Sequence, residues 1–157
     1  MTILEVGKKA PQFELPNQDE EKKTLDDYNG KWLVTYFYPR DDTPGCTVEA
    51  QEFTEELDNF TSEDAVVVGI SPDTAAKHCK FIDKHGLGME LLADTEKLML
   101  ADYGVWQEKS MYGKTYMGVV RTTYLIDPNG LVAESWTKVK SRGHAKAVFE
   151  RLKEIKG

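Results

Sequence analysis

The sequence is sparing with the residues that would make its class obvious. Among 157 residues there are only 2 cysteines, 6 prolines and 12 glycines. Two cysteines are too few for a disulfide scaffold or a four-thiolate zinc site. Low Pro and Gly, with 40% hydrophobic and 30% charged residues, exclude a collagen-like, low-complexity or disordered chain. The longest apolar run, Ala65 to Ile70 with Gly69 inside it, is far short of the roughly 20 residues needed to cross a bilayer. The first residues, MTILEVGKKAPQF, lack a basic start followed by an apolar stretch. No secretory signal is read there, and a cytosolic location is expected.

Basic charge is also in short supply. Lys and Arg number 20 against 27 Asp and Glu, a net charge of -7, which argues against nucleic acid or anionic membranes as general partners. Acids without Lys or Arg fill Thr47 to Asp64, while Lys138 to Lys156 is mostly basic, a pattern of two solvated helix faces. There is no internal repeat and no linker rich in Gly, Ser or Pro, so one domain over 1–157 is expected. No long exposed apolar stripe is evident, which predicts a monomer.

What is present reads as alternating strands and helices. Lys31 to Tyr38, KWLVTYFY, is β-branched and aromatic on both alternating faces, as in a strand buried from two sides. After the loop Pro39 to Gly45, the residues Ala50, Phe53, Leu57 and Phe60 recur at helical spacing. Ala65 to Ser71 reads as a second buried strand, and Thr74 caps a helix running to about His85. Then come a short strand at Glu90 to Ala93, a helix near Thr95 to Tyr103, and a strand over Val119 to Ile126. The turn Asp127 to Gly130 leads into Leu131 to Trp136, and a closing helix over His144 to Ile155 presents Ala147, Val148, Leu152 and Ile155. This order predicts an α/β, thioredoxin-like fold with a central mixed sheet flanked by helices.

Chemistry concentrates on Cys46, which lies where a central strand has ended and a helix is beginning. Ligands bind at the carboxyl ends of strands in such sheets, and a helix start offers unpaired N–H groups and a positive dipole end. Both features stabilise a thiolate, the nucleophilic form. By helical phase Cys46 shares the side of Phe53 and Leu57, which turns its sulfur toward the protein body. C-x-x-C is absent, because Thr43 stands three before Cys46 and Glu49 three after it, so thioredoxin-type dithiol exchange is excluded.

Pro39, Thr43 and Cys46 match the P-x-x-x-T-x-x-C signature of peroxiredoxins. The wider FYPRDDTPGCTVEA resembles the peroxiredoxin Q subfamily, also called bacterioferritin comigratory protein. YGVWQEKSMYGKTYMGVVRTTYLID and DPNG continue the likeness over nearly the whole chain. The resemblance implies that Cys46 is the peroxidatic nucleophile, which attacks one peroxide oxygen and becomes a sulfenic acid. It also implies that the Thr43 hydroxyl bonds the peroxide, with helix capping a compatible role, and that Pro39 shapes the pocket and shields the sulfur. Arg121 is carried over as the arginine that stabilises thiolate and transition state, and Glu49, near the border of the apolar helix face, as its holder. Glu52 and Glu55 should point to solvent.

Regeneration is read less directly. Many members of the subfamily carry a resolving cysteine five residues after the nucleophile, where this chain has Gln51. Others carry it on the helix after the second strand, near the position of Ile82; here the same helix holds Cys79, one turn earlier. Cys79 is either the resolving thiol or an inert core cysteine. Bonding to Cys46 needs Cα atoms within about 7 Å, which requires local unravelling of both helices. His78 and His85 lack zinc-ligand spacing with Cys79 and read as solvated or capping residues. The implied function is a peroxidase for hydrogen peroxide and small alkyl hydroperoxides, without metal or organic cofactor and recycled by thioredoxin or another thiol. A one-cysteine peroxidase using an external thiol and a non-catalytic redox-sensing module are the alternatives.

Overall fold

A computed structural model describes residues 3–157. A short hairpin of β1 (Glu14–Pro16) and β2 (Lys22–Thr24) comes first, followed by a 3-10 turn over Leu25–Tyr28. Next are β3 (Trp32–Phe37), α1 (Pro44–Ser62), β4 (Ala65–Ser71), α2 (Ala75–His85), β5 (Glu90–Ala93) and α3 (Leu98–Asp102). A ribbon of β6 (Trp106–Met111) and β7 (Lys114–Val119) precedes β8 (Thr122–Ile126), β9 (Val132–Trp136) and α4 (His144–Lys156).

Five strands form one sheet in the order β5-β4-β3-β8-β9. β3, β4 and β5 are parallel, while β8 pairs antiparallel with β3 and with β9. This is the mixed, helix-flanked, thioredoxin-like sheet expected from the order of elements. β3 is central because it can be buried on both sides: Leu33 and Phe37 enter one core, Val34, Tyr36 and Tyr38 the other. The first core is completed by Phe13, Met99 and Tyr103, the second by Phe53, Phe60, Phe81, Val148 and Leu152. Phe53 is fully buried and stacks on Tyr36 with ring centroids 4.6 Å apart. Burial of one such side chain contributes about 1.5–3 kcal/mol. Gly69 on β4 makes room for this stack, since a Cβ there would lie 2.7 Å from the Tyr36 ring.

Several elements depart from the sequence reading. The helix near Thr95 to Tyr103 is shorter, because Lys97 takes a left-handed φ of 63° and the Asp94 carboxylate accepts from the N–H groups of Leu98 and Leu100. The strand over Val119 to Ile126 is broken at Val120 and Arg121, where the chain leaves the outer ribbon for the main sheet. Ala147 faces solvent, and Ala145 packs in its place. The acidic and basic stretches are more than solvated faces, because α1 and α4 lie side by side: Glu52 accepts from the N–H of Gly143, and Lys156 pairs with Glu63. The ribbon exposes Met111, Tyr112, Tyr116 and Met117, which the sequence reading did not anticipate. Among the described residues no helix is long and apolar enough to cross a membrane.

Candidate active site

The loop from Pro39 to Thr43 carries the chain from the end of β3 to α1. Pro44 opens that helix, where its missing N–H costs nothing, and Cys46 lies in the first turn. The Thr43 backbone accepts from Thr47 N at 2.9 Å. Helical phase then turns Cys46 inward, as predicted, to 2% exposure beside Ala50 and Phe53.

Arg121 reaches the sulfur from the corner between β7 and β8. Its Nη2 donates to Cys46 Sγ at 3.2 Å and its Nη1 to Glu49 Oε1 at 2.6 Å. The corner is held because Val120 N donates to Val105 O and Arg121 O accepts from Val139 N. The break in the predicted strand therefore lets the guanidinium leave the sheet and fork between two groups of α1. Gly45 permits the approach: a Cβ there would lie 3.3 Å from both Arg121 Nη2 and Ser141 Oγ.

Glu49 is not at the border of the helix face. It is fully buried, and its Oε2 has no hydrogen-bond partner. Burial pushes its carboxyl up from 4.5 to about 7, against the opposing pull of Arg121. Arg121 is held above its ordinary range: burial works against its charge, but Glu49 and Cys46 outweigh that. Glu52 is half-buried rather than solvated, since it caps α4, whereas Glu55 is exposed.

The raised Glu49 carboxyl has a measurable consequence. An unfolded chain ionises this group near 4.5, whereas the folded chain keeps its proton to about 7, so folding stability falls as pH rises between these values. The expected drop is about 3 kcal/mol, and Glu49→Gln should abolish it. Chemical denaturation of both proteins at pH 4.5 and pH 8 measures the difference. A wild-type loss no larger than that of Glu49→Gln contradicts the assignment. Comparing the two proteins also removes the opposing contribution of His144, which burial lowers to about 4.

The other predicted residues are less directly engaged. Thr43 occupies the N-cap position without a side-chain cap; its hydroxyl donates to Arg40 O at 2.9 Å. Pro39 is half-buried at the end of β3. Cys79 is half-buried on α2, and both thiols are free.

His78 was misread from sequence as solvated or capping. His78 is fully buried: Nδ1 lies 2.7 Å from Asp41 Oδ2, and Nε2 lies 2.9 Å from Leu92 O. Its spacing from Phe81 places both on the inward face of α2, a signal that was available in the helix phase. His144, four residues before Val148, is likewise inward at the start of α4; its Nε2 is 2.7 Å from Thr123 Oγ1, and its ring meets Phe53 edge-on. Asp41, Asp73 and His78 offer ligand atoms within 4.8 Å of one another. Those of Asp41 and His78 bond each other, and the Asp73 carboxylate accepts from Ser71 and from the Asp41 backbone.

A buried cysteine at a helix start, forked to an arginine that a buried glutamate holds, defines a thiol site of peroxiredoxin type. The AhpC/TSA family matches residues 6–135, and the chain belongs to that family. Within it the chain is of the peroxiredoxin Q, or Bcp, subfamily. It is 45% identical over 155 residues to peroxiredoxin Bcp of Bacillus subtilis, covering 99% of this chain and 98% of that one. The crystal structure of a mutant of Xylella fastidiosa PrxQ superposes with a TM-score of 0.95 at 34% identity, covering 100% of both chains. A structure of Xanthomonas campestris bacterioferritin comigratory protein, solved for insight into its alkyl peroxide reduction activity, matches at a TM-score of 0.91 and 36% identity, again over 100% of both chains. Two structures of Xanthomonas campestris peroxiredoxin Q are mutants at cysteines spaced about one helical turn further apart than Cys46 and Cys79.

Proposed function

We propose that this peroxiredoxin reduces hydrogen peroxide and small alkyl hydroperoxides through Cys46, with Cys79 as the resolving thiol and thioredoxin or a similar dithiol as the electron source. The observation that carries the reading is the fork of Arg121 between Cys46 Sγ and Glu49. A fixed cation 3.2 Å from a buried sulfur favours the thiolate and stabilises charge developing on a peroxide beside it.

In the first step the Cys46 thiolate attacks the terminal peroxide oxygen. An S–O bond forms, the O–O bond breaks, and the sulfur loses two electrons to become a sulfenic acid. The leaving alkoxide or hydroxide takes a proton and departs as alcohol or water. In this reading the Thr43 hydroxyl, which donates to Arg40 O in the structure, serves the peroxide in the loop, and the half-buried Pro39 shapes the pocket. In the second step Cys79 attacks the sulfenic sulfur. The S–S bond forms, the S–O bond breaks, and hydroxide leaves with the thiol proton as water. An external dithiol then returns both sulfurs to thiols.

Every group named in this cycle apart from the peroxide and the reductant lies on this chain, so the cycle needs no second copy; a single domain over 1–157, acting as a monomer in the cytoplasm, is part of this reading. No step calls for a metal or organic cofactor.

Steady-state turnover of peroxide with thioredoxin separates an enzyme from a redox sensor: sustained consumption over many equivalents is expected, and a single stoichiometric oxidation would overturn the reading. Cys79→Ser divides the cycle further. Its first reaction with peroxide should match wild type within about twofold, because no atom of Cys79 belongs to the fork. Thioredoxin-supported turnover should fall at least tenfold, roughly, with Cys46 advancing to sulfinic acid at lower peroxide. Normal turnover of Cys79→Ser would instead establish the one-cysteine alternative.

A further inference from the structure

The Cys46 loop and the Cys79 helix are joined by polar contacts in which the two thiols take no part. Asp41, five residues before Cys46, and His78, immediately before Cys79, form a buried pair: their side chains are 5% and 0% exposed, with Oδ2 and Nδ1 2.7 Å apart. His78 Nε2 faces the Leu92 carbonyl at 2.9 Å and so carries a hydrogen, because a carbonyl only accepts. The contact of Nδ1 with the Asp41 carboxylate is therefore a hydrogen bond closed off from water. Tyr38 donates to the other carboxylate oxygen at 2.6 Å, and Asp73, held by Ser71, accepts from the Asp41 backbone N–H at 2.8 Å.

A cleft of about 340 Å³, lined by Arg40, Asp41, Lys77, Lys80 and Phe81 among others, separates loop from helix on the outside. Polar contacts bridge the two segments beside this cleft. A second tie lies at the exposed end: Asp42, at a left-handed φ of 60°, pairs with Lys84 and His85. Exposed pairs of that kind contribute little, whereas opening a buried polar pair leaves both groups without a partner and costs more. α2 cannot unwind at Cys79 without withdrawing His78 from its place beneath Leu92.

We propose that the buried Asp41–His78 pair is a latch that holds the Cys79 helix against the Cys46 loop and limits how fast Cys79 captures the sulfenic acid on Cys46. The latch rests on the reading of Cys79 as the resolving thiol. Asp41 and His78 act as positioning residues: closed, they hold α2 wound with Cys79 away from Cys46; open, they free α2 to bring its thiol across. The closed latch prolongs the sulfenic acid and so exposes it to a second peroxide molecule. No new reactant is required, since capture forms the S–S bond and releases water.

The test is rapid quenching of reduced full-length protein after peroxide addition, with thiol states read by mass spectrometry, for wild type, Asp41→Asn and His78→Gln. The latch predicts that Asp41→Asn forms the Cys46–Cys79 disulfide roughly tenfold faster. Its sulfinic yield in excess peroxide should fall by a similar factor, while the rate of sulfenic acid formation stays within about twofold of wild type. His78→Gln should behave alike; if it does not fold, Asp41→Asn decides alone. Disulfide formation in Asp41→Asn at the wild-type rate or slower overturns the latch. Absence of any Cys46–Cys79 bond in wild type overturns the resolving role of Cys79 before the variants are compared, which distinguishes the two failures.

Discussion

Cys46→Ser is expected to lower peroxide consumption to the background rate, a loss of roughly 10⁴-fold or more. The size follows from chemistry rather than packing. Serine fills nearly the same space beside Ala50 and Phe53, so the fold should survive. Its hydroxyl has no counterpart to the thiolate, and its oxygen has no oxidation state equivalent to a sulfenic acid. Stopped-flow measurement with hydrogen peroxide, with circular dichroism to verify folding, checks both halves of the expectation. Near-wild-type consumption by a folded Cys46→Ser protein would remove the basis of the assigned chemistry.

Replacement of Arg121 is expected to have the next largest effect. In the folded protein one guanidinium serves two partners, Cys46 Sγ at 3.2 Å and Glu49 Oε1 at 2.6 Å. Arg121→Gln leaves Cys46 and Glu49 buried together without a cation. The thiolate then loses its counter-charge, and the transition state loses its fixed donor. A fall in the second-order rate of about 10² to 10³-fold is expected. Arg121→Lys keeps the charge but not the planar fork, so it should recover only part of the loss. If Arg121→Gln left the rate unchanged, the guanidinium would be structural only.

The same fork shows how far sequence reasoning reaches. Lys31 to Tyr38 was legible as a central strand because residues on both of its alternating faces are apolar or aromatic, and the structure buries both faces. Cys46 was legible as an inward residue because one phase of α1 runs through Ala50, Phe53 and Phe60. The complete burial of Glu49 was not, because a carboxylate in a core is intelligible only once Arg121, far along the chain, is known to face it. The β6–β7 ribbon was missed for a different reason. Its turn at Tyr112 and Gly113 takes positive φ at both positions, which Asn-Gly would have signalled, and its exposed strands mix apolar and charged residues without a two-residue period. β1 and β2 are three residues each, too short for any periodicity to show. Asp41 and His78 are joined by tertiary structure alone; helix phase could turn His78 inward, but nothing local to the sequence names its partner.

Peptide mapping by nonreducing mass spectrometry, after one equivalent of hydrogen peroxide under anaerobic conditions, tests the assignment of the chemistry to Cys46 most directly. Cys79→Ser isolates the first step and wild type shows the second. The account predicts a sulfenic acid on Cys46 of Cys79→Ser, read as a dimedone thioether on the Cys46 peptide with its oxygen lost as water, and a Cys46–Cys79 linked peptide in wild type. An unmodified Cys46 peptide in Cys79→Ser, with peroxide consumed or not, would contradict it.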